Sequence, residues 1–143
     1  MTIPARISIV TLGVADLKRS EAFYASLGWE RCPSSSDEIC WFRTADSYLG
    51  LFPYGLLAED ARVAPGTPGA FGGITLAICL ESEEAVTAAL AEAAVKGARI
   101  LKPAERTDWG GFSGYFADLD GHPWEVAFNP SFPIGPDGRI TIP

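Results

Sequence analysis

The sequence holds a single histidine, His122, and this scarcity excludes more chemistry than any other count. Imidazole is the commonest ligand for catalytic transition metals and the commonest general base, so one ring cannot furnish a multi-histidine centre. It also falls in Asp118-Leu-Asp-Gly-His122, a hairpin-turn signal, which predicts a surface or turn-capping role. No Ser-His-Asp or Cys-His nucleophile arrangement can be built from it. Cysteine is scarce as well. Cys32, Cys40 and Cys79 are odd in number and widely spaced, which excludes a disulfide framework, a CxxC redox pair and a zinc knuckle, and suits reduced thiols in a cytoplasm. Positive charge is short: 11 Lys and Arg against 18 Asp and Glu leave a formal charge of -7, the wrong sign for nucleic acid or anionic lipid. Long apolar runs are missing too. The longest nearly uncharged stretch, Gly66 to Leu80, is too short and glycine-rich to span a bilayer, and the N-terminus lacks a basic segment followed by an apolar one. The expectation is a cytoplasmic protein with neither a nucleic-acid nor a membrane partner.

What is present is the composition of a packed globule, with 143 residues, 48% hydrophobic and 20% charged. The length suits one domain over residues 1–143. Residues 6–14 are β-branched and nearly continuous in apolar character, as in a strand covered on both faces. Asp16 can cap a helix whose Leu17, Phe23, Tyr24 and Leu27 share one face and which Gly28 ends. Three short strands follow, Trp29 to Cys32, Ile39 to Arg43 and Ser47 to Phe52. From Pro53 to Gly73, proline and glycine punctuate a connector with room for one helical turn near Leu56 to Arg62. The glycine-rich part lacks a GK[ST] sequence or a GxGxxG-then-helix context, so it reads as a linker and not as a phosphate cradle.

The pattern then repeats. Ile74 to Leu80 reads as a strand, Ser82 as the cap of a helix closed by Lys96-Gly97, and Ala98 to Leu101, Gly111 to Ala117 and Pro123 to Phe128 as further strands, with one more hidden near Glu105 to Trp109. Val10-Thr-Leu-Gly-Val14 matches Ile74-Thr-Leu-Ala-Ile78, each ahead of a capped helix, which argues for an internal duplication. The predicted fold class is α+β, built from tandem βαβββ modules. Module 1 runs over about 5–54, a connector over 55–72, module 2 over about 73–130, and a proline-rich tail over 131–143.

Two stretches resemble the vicinal oxygen chelate superfamily, which includes glyoxalase I, extradiol dioxygenases and bleomycin-resistance proteins. They are Val10-Thr-Leu-Gly-Val-Ala-Asp-Leu-Lys-Arg-Ser-Glu-Ala-Phe-Tyr24 and Tyr115-Phe-Ala-Asp-Leu-Asp-Gly-His-Pro-Trp-Glu-Val126. The resemblance implies sheets curled around a cavity with helices on the outer face, and a homodimer. In metal-dependent relatives, ligands come from the first and last strands of each module. Residue by residue, those positions fall here on Ile9, on Thr75 or Gly73, on Gly50 or Leu51, and on Glu125. Only Glu125 can bind a cation. Catalytic metal sites need about three protein ligands, so no metal or other cofactor is expected.

Strand alternation puts Ile7, Ile9 and Thr11 on one face, Gly73, Thr75 and Ala77 on another, and pairs Glu125, Ala127 and Asn129 with Tyr115, Ser113 and Gly111, Trp109 standing at the far end. Trp124, of opposite parity, should pack under a helix. A carboxylate in an otherwise apolar strand is costly unless it is paired, protonated or wet, which singles out Glu125. Aromatic, hydroxylic and small side chains suit an organic ligand, so Ile9, Thr11, Trp41, Leu51, Thr75, Trp109, Ser113, Tyr115 and Glu125 are the candidate ligand-binding residues. The leading expectation is metal-free binding of a small hydrophobic or aromatic molecule, in the manner of drug-sequestering bleomycin-resistance proteins. The alternative is an enzyme, an isomerase, lyase or dioxygenase-like protein, with Glu125 as acid/base and Tyr115 or Thr11 as an oxygen-stabilising donor, or with an atypical metal site.

Overall fold

The computed structural model describes residues 2–143, and the chain divides into two compact units, Met1–Pro65 and Gly66–Pro143. Three helices and two mixed sheets are present among the described residues, an α+β architecture.

The first unit opens with β1 (Ile9–Val14), then α1 (Leu17–Ser26), β2 (Cys40–Arg43), β3 (Tyr48–Pro53) and α2 (Tyr54–Ala61). Asp16 caps α1 by accepting from the Arg19 amide at 3.1 Å, and Gly28, at φ 88°, takes the left-handed conformation that ends it. The sheet order is β1-β3-β2, with β1 parallel and β2 antiparallel to β3. The side covered by α1 is the core: Val14, Leu49, Leu51, Cys40 and Phe42 are buried there, and the Tyr24 ring stands 6.1 Å from that of Phe42. The strand predicted over Trp29 to Cys32 reduces to one bridge, Arg31 to Phe42, with the Cys32 amide donating to the Trp41 carbonyl. Pro33 follows at once and has no amide to extend the ladder. The single turn predicted near Leu56 is instead the two-turn α2, which starts directly after Pro53. Its first residue, Tyr54, lies where a Cβ on Gly13 would sit, 2.8 Å away, so glycine there lets α2 begin beside β1.

The second unit holds β4 (Leu76–Cys79), α3 (Glu83–Val95), β5 (Arg99–Arg106), β6 (Phe112–Ala117) and β7 (Pro123–Phe128), in sheet order β4-β7-β6-β5. Ser82 caps α3 through the Ala85 amide at 3.0 Å, and Glu83 and Glu84 occupy its first turn, where the helix dipole favours negative charge. α3 packs on β5, β6 and β7. Phe116 and Trp124 stack beneath it at 6.3 Å, and Gly114 leaves space that Leu90 Cδ1 fills, 2.6 Å from where a Cβ would be. Two predicted strands, Ala98 to Leu101 and the hidden one near Glu105, are one strand, β5. Its register slips between Ile100 and Lys102 and again before Glu105, around Pro103, which an edge strand tolerates at a bulge. β4 starts later than predicted, at Leu76 opposite Trp124; one residue earlier its partner would be Pro123, which donates nothing to a ladder.

Candidate functional site

Each sheet has one face packed under a helix, α1 in the first unit and α3 in the second, and an opposite face, and the candidate residues separate by this division. In the first unit, Thr11, Gly50 and Trp41 are directly paired across β1, β3 and β2. A Cβ on Gly50 would lie 3.0 Å from Thr11 Oγ1 and 3.4 Å from both Ile9 Cγ2 and Trp41 Cδ1, so Ile9, Thr11 and Trp41 share this open face around a glycine floor. Leu51 does not. It is fully buried on the α1 side, because adjacent strand residues point to opposite faces, and Gly50 holds the open-face position instead. Arg43 and Tyr48, at the edge of the same face, are joined by a 2.9 Å hydrogen bond from the guanidinium to the phenol oxygen. Sequence reasoning missed this pair, whose only signal was alternation from Trp41.

In the second unit, β6 and β7 pair in the predicted register, Ser113 with Ala127 and Tyr115 with Glu125, and β4 adds Ala77 beside Glu125 and Cys79 beside Ala127. Trp124, Val126 and Phe116 alternate onto the α3 side and are buried. Glu125, Tyr115, Ser113, Ala127, Ala77 and Cys79 therefore share the open face. Trp109 joins them. Its ring occupies the space a Cβ on Gly111 would take, and alternation back from Ser113 aims that position at this face. The Thr107 hydroxyl accepts from the Gly111 amide at 3.0 Å and holds the turn that places the ring. Thr75 is exposed and precedes β4, so it is not a strand residue as predicted.

The electrostatics centre on Glu125. It is half-buried, and no salt bridge among the described residues involves it. Lys102, paired in the ladder with Tyr115, is engaged by Glu105 at 3.4 Å. Burial, and then the negative charge of Glu125, push the Cys79 thiol above its ordinary value, so it stays protonated at neutral pH. Cys79 lies two residues beyond Ala77, so strand alternation alone puts it on this face, though sequence reasoning gave it no role. His122 sits in the β6–β7 turn, where its amide donates to the buried Asp118 carboxylate at 2.9 Å. Its backbone is thus part of the turn.

The donors at the metal-ligand positions of the resembled family do not fit a divalent ion. The first unit offers Ile9 and Gly50, and the second offers Thr75 and Glu125, of which one residue is a carboxylate. The adjacent Cys79 is a protonated thiol, a poor ligand. Among the described residues, no group of three or more His, Cys, Asp and Glu is placed to hold a metal ion. Nor is any helix among them long and apolar enough to cross a membrane.

Comparison with known proteins agrees with this fold. The chain is similar to a glyoxalase-related enzyme from Fulvimarina pelagi, with 34% identity and a TM-score of 0.87 over 96% of this chain and 98% of that one. It shares its fold with a glyoxalase/bleomycin resistance protein/dioxygenase from Nocardioides, at 22% identity and TM-score 0.74 over 90% of this chain and 85% of that one. The same holds for lactoylglutathione lyase from Agrobacterium tumefaciens, at 23% identity and TM-score 0.67 over 89% and 96%. No curated protein matches the chain. The model of one family matches residues 6–126, most of the sequence, and the chain belongs to that family, the Glyoxalase/Bleomycin resistance protein/Dioxygenase superfamily.

Proposed function

We propose that this protein binds a small, mainly hydrophobic or aromatic molecule on the open face of its second unit, without a metal ion or other cofactor, as a sequestering protein of the bleomycin-resistance kind. One observation carries the reading: a half-buried carboxylate, Glu125, stands opposite Tyr115 on a face that also presents Ser113 and the Trp109 ring. Rings supply apolar burial, while the carboxylate and hydroxyls fix orientation. Ile9, Thr11 and Trp41 share the open face of the first unit and are proposed as ligand-binding residues of that unit in its own right. A cytoplasmic homodimer completes the reading. The three free cysteines support the compartment, and the exposed Ile3 and Ile7 support a contact between copies, which sedimentation velocity tests.

The test of function is a calorimetric titration against a panel of antibiotics and aromatic metabolites, followed by mass spectrometry of the recovered compound. Saturable binding with the compound unchanged supports sequestration. Absence of binding across the panel overturns it.

A second reading is favoured by the direct pairing of Tyr115 with Glu125. Cross-strand partners bring their Cβ atoms to about 5 Å, close enough for a carboxylate base and a phenol donor to act on one substrate. In that reading the protein is an isomerase or lyase, Glu125 moves a proton and Tyr115 stabilises the developing oxyanion. A compound recovered with altered structure selects it.

A further inference from the structure

The open face of the second unit has two ends of different chemistry. At one end is Trp109, half of whose surface is exposed, its ring laid over Gly111. At the other is Glu125 beside Tyr115. Between them run the cross-strand partners Ser113 and Ala127, whose small side chains add little bulk of their own, with Glu105 of β5 next to Ser113 in the ladder. From Gly111 to Tyr115 is four residues of extended chain, about 13 Å at the rise of a β-strand. None of the salt bridges among the described residues includes Glu125, and Lys102, the ladder partner of Tyr115, pairs instead with Glu105 at 3.4 Å. An anionic ligand would meet this carboxylate in a chain already at a formal charge of -7. A neutral one would cover it without compensation, which is costly.

Resting on the binding reading above, we propose that the ligand is an elongated organic cation, with an aromatic group stacked on Trp109 and an ammonium or amidinium group, roughly 13 Å away along the strand, paired with Glu125 and bordered by the Tyr115 ring. The cation supplies a salt-bridge partner for Glu125, and the Trp109 surface takes the apolar end. The separation of the two ends sets the length that fits.

The experiment uses a series of phenylalkyl-ammonium compounds of increasing chain length, each matched to its uncharged alcohol, titrated into the full chain with Trp fluorescence and calorimetry as readouts. The expected result is binding at least about tenfold tighter for each ammonium than for its alcohol, with an optimum at an intermediate length. The preference should shrink at high salt. In Glu125→Gln the charged and uncharged partners should bind alike, with the affinity for the alcohol kept, which also establishes that this variant remains folded. Trp109→Ala should weaken both members of each pair. Equal affinity of ammonium and alcohol in the unaltered protein would overturn the cation proposal and leave the binding reading standing. Binding of neither series, nor of any compound in the panel above, would overturn both.

Discussion

The two units follow one plan and differ at one telling place. In each, a strand leads into a capped helix and then pairs in parallel with the last strand of its sheet, β1 with β3 and β4 with β7. In each, the helix-covered side is apolar and buried, around Phe42 and Tyr24 in the first unit and around Trp124 and Phe116 in the second. The open faces diverge. Thr11 is opposite Gly50 in the first unit, and Ala77, which precedes its helix cap Ser82 by the same five residues as Thr11 precedes Asp16, is opposite Glu125 in the second. One position therefore carries no side chain in one unit and a carboxylate in the other. Packing against a helix constrains one side of each sheet to similar apolar residues, while the other side is free to vary in chemistry. The carboxylate on which the proposed function rests stands where the two open faces differ.

The largest effects should come from breaking what the units share. Phe42→Ala and Trp124→Ala each remove a buried ring from the helix side and should cost about 3–5 kcal/mol, measured by chemical denaturation. Trp109→Ala, on an open face, should cost less than about 1 kcal/mol. A Trp109 change as costly as Trp124 would erase the distinction between the two sides.

Smaller effects come from glycine. Gly114→Ala should destabilise by about 1–3 kcal/mol, because the new Cβ would meet the Lys102 carbonyl at 2.7 Å and the Ala104 amide at 3.0 Å, backbone atoms that cannot step aside. Gly50→Ala meets only side-chain atoms, the nearest at 3.0 Å, and should cost less in thermal melting. The reverse order would mean that the open face of the first unit is the tighter one.

The smallest effect concerns Cys79. Its thiol is pushed up by burial and by Glu125, so Glu125→Gln should speed its alkylation at mildly alkaline pH, read by mass spectrometry, while the buried Cys32 and Cys40 stay slow. The sign for stability follows. A raised thiol favours the folded state below the ordinary thiol value, and that contribution is lost as pH climbs through the folded value. Glu125→Gln should therefore lose less stability between neutral and strongly alkaline pH than the unaltered chain.

Much of this was legible in the residues. Alternation and the Asp-Gly turn were enough to place Tyr115 opposite Glu125, because a short turn limits the hairpin to few registers, while Trp124 and Val126 mark the buried face of β7. Asp16 and Ser82 announced their helices for the same local reason, a side-chain acceptor ahead of an apolar stripe. What was not legible depended on partners distant in sequence. Leu51 was assigned to the open face because either of two adjacent residues suited the resemblance, and only pairing with Cys40 and Leu12 shows that it faces the helix. β4 was overextended because its limit is set by Pro123, some fifty residues away. β5 was divided in two because its bulges around Pro103 interrupt the alternation by which a strand is read.

The central claim, that the open face of the second unit binds an organic molecule by its own side chains, meets its most direct test in one titration. A panel compound is added to chelator-treated protein, and the titration is then repeated with a stoichiometric divalent metal present. The account predicts the same affinity in both cases. Binding that appears only when the metal is restored would contradict it.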